Sequence, residues 1–227
     1  ASISASACSA TAGANAAAVA EQALALMLAC AKSVVPLNAR VHAGQWDKAT
    51  HKGVELGSRT VGLLGLGAIG RRFAASVQVL GMRVLAYDPY AQEAPEGVTL
   101  VPLATLWRES DVLSLHCPLT DENRELIDAE VLAQCKRGVI LVNTARGGLI
   151  DEAALLQAVR SGQVMAAGLD SFAVEPIAPD HPFLGEPGFV LSPHIGGVTG
   201  DAYVNMGVAA ARNLLDVLAR QPSPQSA

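Results

Sequence analysis

The sequence has no basic run, no apolar stretch long enough to cross a bilayer, no CxxC pair and no initiator Met. Each absence removes a class of protein. Sixteen Lys and Arg stand against 21 Asp and Glu, giving a formal charge of −5 and an isoelectric point near 5.5. Nothing here can track a phosphate backbone, so no nucleic-acid partner is expected. The longest purely apolar stretch, Ala23 to Ala31, is about half of the ~20 residues a spanning helix needs, so no membrane partner is expected either. The first Lys or Arg is Lys32, and the Ala/Ser-rich start therefore lacks the positive n-region of a signal peptide. The expected location is cytoplasmic. Cys8, Cys30, Cys117 and Cys135 are scattered, which suits neither a zinc site nor a dense disulfide framework; reduced, packed thiols and no metal are expected. Residues 1–14, beginning at Ala1 with nothing large to bury, read as an irregular segment inside a longer protein.

What is present is apolar bulk: 51% of 227 residues, ample for a buried core. From Asn15 to Ala43 the Ala- and Leu-rich composition predicts one long helix, kinked at Pro36. It is apolar on most of its surface and must be buried, in the core or at a subunit interface. Short β-branched or Leu-rich runs then alternate with amphipathic stretches, the pattern of strands joined by helical crossovers in a parallel sheet. The predicted strands are Thr60 to Leu64, Arg83 to Tyr87, Thr99 to Val101, Val112 to Leu115, Val139 to Val142, Met165 to Leu169 and Phe189 to Leu191. Helices are predicted near Ile69 to Leu80, Pro102 to Glu109, Asp128 to Cys135 and Asp151 to Ser161, with a last one from Gly200 to Arg220. The fold expected is a doubly wound α/β sheet of the Rossmann type. A dinucleotide-binding domain is expected over 15–197, a returning segment over 198–220 and a disordered tail over 221–227.

The sharpest local signal is Gly65-Leu66-Gly67-Ala68-Ile69-Gly70, directly after an apolar strand and opening a helix. Gly65 permits the tight turn, Gly67 lets a pyrophosphate approach the backbone, and Gly70 allows close packing of helix on strand. The helix start, at Ala68 and Ile69, offers free N–H groups to the phosphates. Three glycines in six residues also occur in ordinary turns, but Asp88 ends the next strand, about 20 residues on, where a carboxylate accepts from the adenosine ribose hydroxyls. Its charge repels a 2′-phosphate, so NAD is expected over NADP.

Further polar residues stand at the C-terminal ends of later strands, where open α/β sheets bind their ligands: Arg146, Asp170 and His194, with Glu175 five residues after Asp170. His116 also ends a strand and is expected on the cofactor side. His42, His51 and His181 read as surface or loop residues.

The glycine segment, Asn143-Thr144-Ala145-Arg146-Gly147, Gly168-Leu169-Asp170, Val174-Glu175-Pro176 and Pro193-His194-Ile195-Gly196-Gly197 resemble, in order and spacing, the successive motifs of the D-2-hydroxyacid dehydrogenase family. The resemblance runs from Gly13 to Arg220. It implies an NAD-dependent enzyme acting on a small D-2-hydroxy or 2-keto acid: glyoxylate or hydroxypyruvate, 3-phosphoglycerate, or a lactate-like acid. It also implies a homodimer joined through the cofactor domains. Arg146 would bind the substrate carboxylate and polarise the keto group, His194 would exchange the proton, and Glu175 would hold the imidazole in its charged form. Asp170 would hold the nicotinamide carboxamide, while Cys117-Pro118, Thr144-Ala145, Gly196 and Gly197 would line the cofactor. The chemistry agrees: a guanidinium suits a carboxylate bidentately, and a carboxylate-oriented histidine is a competent general acid near neutral pH. Two departures stand out. Gln22 occupies a position where the family usually has histidine, and the substrate domain built largely from residues N-terminal to this point is missing from this chain. A second reading is an NAD(H)-sensing module without turnover, like the corepressors built on this scaffold.

Overall fold

The computed structural model describes residues 13–220, with side chains described to residue 216. The segment before Gly13, with Cys8, and the expected tail 221–227 lie outside the described residues. The elements are α1 (Ala16–Lys32), α2 (Val34–His42), β1 (Thr60–Leu64), α3 (Ala68–Val79), β2 (Arg83–Tyr87), β3 (Val98–Leu100), α4 (Leu103–Glu109), β4 (Val112–Leu115), α5 (Ala129–Gln134), β5 (Val139–Asn143), α6 (Glu152–Arg160), β6 (Val164–Leu169), β7 (Phe189–Leu191) and α7 (Gly200–Arg220). Two short 3₁₀ turns, Asp121–Asn123 and Gly147–Leu149, were not foreseen.

All seven strands pair in parallel, in the order β3-β2-β1-β4-β5-β6-β7. The order reverses between β1 and β4, and a crevice opens there at the C-terminal ends of the strands. β1, β4 and β5 are buried along their whole length, as expected of strands covered on both faces. Successive residues point to opposite faces, so Val61, Leu63, Ile140 and Val142 join one core while Leu64, Leu113, Val139 and Leu141 join the other. α1 and α3 cover the first face; α4, α5 and α6 cover the second.

The strands fall within a residue of the predicted runs. β3 starts one residue early, because Gly97, in a left-handed conformation, delivers the chain to pair Val98 with Val84. The first helix is a correction. It is two helices bent by 62°, and the break is at Ser33, not Pro36. Ser33 adopts φ 51°, and its N–H closes back on Cys30 O at 3.2 Å. Pro36 lies in the first turn of α2, where a missing N–H costs nothing. The halves also differ in burial. α1 is core, lying so close to β6 that a Cβ at Gly168 would sit 2.8 Å from Leu26 Cβ, whereas α2 buries no residue. No single helix among the described residues is long and apolar enough to cross a membrane. Also among the described residues, no cluster of three metal-ligating side chains occurs.

Candidate active site

The β1-to-α3 turn is shaped by contacts with no slack. Gly65 has φ 99°, and a Cβ there would lie 2.8 Å from the Cys117 nitrogen; at Gly70 it would lie 2.3 Å from the Gly65 carbonyl oxygen. At Gly67, by contrast, a Cβ would meet nothing within 4 Å. The turn is therefore bare where a ligand would approach and tightly packed where the protein backs it. The N–H groups of the first turn of α3, from Ala68 to Gly70, precede the first intrahelical bond, Arg71 N–H to Gly67 O, and have no partner within the helix.

Asp88 closes one end of this crevice. Its Oδ2 accepts from Leu66 N–H at 2.8 Å and its Oδ1 from Tyr90 N–H at 2.9 Å. With Gly65 and Gly67 it lines a cavity of about 340 Å³. A second cavity, of about 900 Å³, continues on the far side of the His116-Cys117-Pro118 strand end, which borders both. Ile69, Thr144, Arg146, Asp170 and His194 are in its wall, along with Ala145, Gly196 and Gly197. The Thr144 hydroxyl is buried there without a hydrogen-bond partner. The residues present thus fit a dinucleotide: a bare cradle at Gly67, a carboxylate at one end and an orphaned polar group toward the other.

His116, half-buried, packs on the Phe73 ring with centroids 5.0 Å apart, and its Nε2 is 3.0 Å from Ser114 Oγ. Burial pushes the imidazole down to about 4, so it is neutral near pH 7. Burial also pushes the Cys117 thiol up to about 11, Cys135 to about 11 and Cys30 to about 12, which leaves them protonated and inert.

The turn after β5 is tied by Asn143, whose Nδ2 donates to Arg146 O at 2.9 Å while its Oδ1 accepts from Ala145 N–H at 2.9 Å. This leaves the Arg146 side chain exposed at the cavity wall. Asp170, 1% exposed, is a brace for the following loop. Its carboxylate accepts from the Ser192 hydroxyl at 2.5 Å, from Ile195 N–H at 3.0 Å and from Gly196 N–H at 2.7 Å. Behind it, Gln22 Nε2 on α1 donates to Ser192 Oγ at 3.0 Å. The loop so braced carries His194 in a left-handed conformation, φ 54°, which for a non-glycine costs about 1–3 kcal/mol and persists only where its surroundings enforce it.

His194 Nδ1 is 2.7 Å from Glu175 Oε2, while Glu175 Oε1 accepts from Phe172 N–H at 2.9 Å. Burial raises the Glu175 carboxyl, but the hydrogen bonds from His194 and Phe172 and the charges of His194 and Arg146 outweigh it. The group rests below the ordinary carboxylate range. Glu175 faces a mostly apolar cavity of about 540 Å³ that shares His194 with the larger one. The histidine thus stands between Glu175 and the wall that holds Arg146, with Asp88 at the distant end of the crevice. Sequence reasoning missed Ser192 as a partner of Asp170 and Gln22 as the partner of Ser192. It read His181 as a surface or loop residue; the residue does lie in the loop between β6 and β7, with its side chain 16% exposed and facing Glu152.

A parallel sheet wound in this order, with a glycine turn at the strand reversal and a carboxylate ending β2, defines a dinucleotide-binding domain. Residues 24–196 match the family model described as "D-isomer specific 2-hydroxyacid dehydrogenase, NAD binding domain". The chain belongs to this family of NAD-dependent 2-hydroxyacid dehydrogenases, and NAD is the dinucleotide its domain binds. A hydroxypyruvate reductase of Thermotoga maritima is 44% identical over 210 residues, covering 92% of this chain and 69% of that protein. A D-3-phosphoglycerate dehydrogenase of Mycobacterium leprae is 43% identical over 210 residues, 91% of this chain but 40% of that protein. The solved structure of a D-2-hydroxyisocaproate dehydrogenase, 34% identical, superposes with a TM-score of 0.86 over 92% of this chain and 68% of its own. The chain thus spans between two fifths and about two thirds of these relatives, and its described residues hold one sheet and no second sheet-bearing domain. These names are of reductases and dehydrogenases, which gives the corepressor-like reading no support.

Proposed function

We propose that the protein containing this chain transfers a hydride between NAD and C2 of a small D-2-hydroxy or 2-keto acid, with Arg146, Glu175 and His194 as its catalytic residues. The observation that carries the reading is the 2.7 Å contact between His194 and Glu175 beside the cavity that Arg146 also lines. Bound NADH supplies the hydride from nicotinamide C4. The Arg146 guanidinium pairs with the substrate carboxylate and draws density toward the keto oxygen. Nδ1 of His194 is engaged by Glu175, so Nε2 is free to give a proton to that oxygen as it gains charge. Glu175 stabilises the imidazolium before transfer and fixes the ring; in the reverse direction the neutral ring takes the proton back.

Gly65, Gly67, Ala68, Ile69 and Gly70 would hold the pyrophosphate, and Asp88 the ribose, favouring NAD over NADP. Cys117, Pro118, Thr144, Ala145, Asp170, Gly196 and Gly197 would line the nicotinamide half. Asp170 has three donors already, so its first task in this reading is to brace the His194 loop. The segment 198–220 would return to a substrate domain, and exposed Val34, Val35, Val41 and Trp46 on and after α2 favour a homodimer contact.

The test is turnover of NADH against NADPH by the full-length protein, with glyoxylate, hydroxypyruvate, 3-phosphohydroxypyruvate and pyruvate. His194→Ala should lower kcat by roughly 10²- to 10⁴-fold. Reduction consumes protonated His194, so kcat/KM falls as pH rises. An opposite charge favours the protonated ring, so Glu175→Gln should move that falling limb to lower pH. An unmoved limb would separate Glu175 from the proton chemistry, and equal use of the two cofactors would sink the role of Asp88.

A further inference from the structure

Directly behind Glu175 lies a second carboxylate and histidine that the proposed chemistry leaves unused. Glu152 opens α6; its Oε1 accepts from Ala173 N–H at 2.9 Å, and its Oε2 is 3.3 Å from His181 Nε2. The preceding N–H, of Phe172, donates to Glu175. Two consecutive backbone N–H groups are thus held by two carboxylates, and each carboxylate turns its other oxygen to a histidine.

The second pair is the more enclosed. Side-chain exposures are 16% for His181 and 24% for Glu152, against 46% for His194 and 34% for Glu175. Phe183 N–H can only donate, and it lies 3.3 Å from His181 Nδ1. In the neutral ring the hydrogen is therefore on Nε2, directed at Glu152. Phe172 and Phe183 meet the ring edge-on, with centroids 6.4 and 4.7 Å away. On the other side of the same segment, a Cβ at Gly147 would lie 1.8 Å from the Phe172 carbonyl carbon and 2.3 Å from the Ala173 nitrogen. The peptide cannot move toward Gly147, and the Glu152 bond resists its moving away.

We propose that Glu152 and His181 are positioning residues for the proton-transfer pair: they fix the Phe172-Ala173 peptide that holds Glu175 against His194. The inference rests on reading Glu175 and His194 as that pair. Without the Ala173 bond, Phe172 N–H loosens its hold on Glu175, and the carboxylate stabilises the His194 imidazolium less well. His194 and Arg146 are the charged groups that act on Glu175, and neither is touched by changes at residue 152.

The experiment uses the full-length protein with a 2-keto acid and NADH, comparing Glu152→Ala, Glu152→Gln, His181→Asn and Glu175→Gln. Glu152→Ala should lower kcat by roughly 10- to 100-fold, the scale of an ångström-size misplacement, and move the falling pH limb of reduction to lower pH. NADH affinity, read by fluorescence, should be unchanged. Glu152→Gln keeps an oxygen for Ala173 N–H and should recover most of kcat; His181→Asn should fall between the two. Should Glu152→Ala fail to fold, His181→Asn carries the same expectations. A limb moved by Glu175→Gln but unmoved by Glu152→Ala or His181→Asn overturns the inference alone. A limb unmoved in Glu175→Gln overturns the acid–base reading and the inference with it. Loss of NADH affinity in step with kcat makes the pair ordinary packing and overturns the inference as well.

Discussion

The two walls of the crevice are built from different materials. On the β1 and β2 side the fit is made by backbone: Gly65 and Gly70 allow contacts that any Cβ would block, and α3 starts directly after them with its first N–H groups unpaired within the helix. On the β6 and β7 side it is made by carboxylates, with Asp170 bracing one loop, Glu175 facing His194, and Glu152 securing the peptide between. Backbone N–H groups keep their polarity at any pH and leave no room for adjustment. Carboxylate–histidine pairs tolerate small shifts but change with pH. The first wall suits grip and the second suits proton traffic, so the walls should fail differently.

The largest effect is expected where the backbone wall has least room. In Gly70→Ala the added methyl meets the Gly65 carbonyl oxygen at 2.3 Å, a backbone atom that cannot swing aside as a flexible side chain could. NADH binding should be lost, and overpacking should cost about 1–3 kcal/mol of stability in a denaturation curve. Wild-type NADH affinity would show that the turn yields after all. A smaller effect is expected outside both walls. Asp151 caps α6 by accepting from Ala153 and Ala154 N–H at 2.9 and 3.0 Å. Asp151→Ala should cost about 1 kcal/mol while leaving NADH affinity and the pH profile of turnover alone. A shifted profile would mean that the start of α6 reaches the chemistry through more than Glu152. The smallest effect is an expected constancy. The histidine between the two cavities, His116, is held down to about 4. NADH affinity should therefore stay level from about pH 5 upward while reduction declines, and a parallel decline would erase the distinction between the walls.

The strands were legible because both faces of the sheet are buried, which leaves mostly apolar runs, buried at every position, at β1, β4 and β5. The glycine turn and Asp88 were legible because their roles follow from short spacings along the chain. Gln22 and Ser192 were not: the Gln22–Ser192 and Ser192–Asp170 bonds span 170 and 22 residues of sequence, and only the packing of α1 on β6 brings them together. His181 lies in the β6–β7 loop, as a surface or loop reading allows, but its contact with Glu152 at the start of α6 crosses 29 residues and is not visible in spacing along the chain. The break at Ser33 escaped because serine carries no strong local preference for a left-handed turn, whereas Pro36 drew attention to a position the helix accommodates.

Asp88 has a bearing on how cofactor preference can evolve. Its Oδ2 takes the N–H of Leu66 inside the glycine turn, so the residue that would discriminate against a 2′-phosphate also buttresses the loop that would hold the pyrophosphate. A mutation that removes its charge to admit the bulkier cofactor also removes that buttress, so the first step toward a new preference weakens the grip on either dinucleotide. Asp88→Asn keeps an acceptor for Leu66 and is the more passable first step; Asp88→Ala requires a second change in the turn before it is useful. Selectivity and architecture are inherited together at this position.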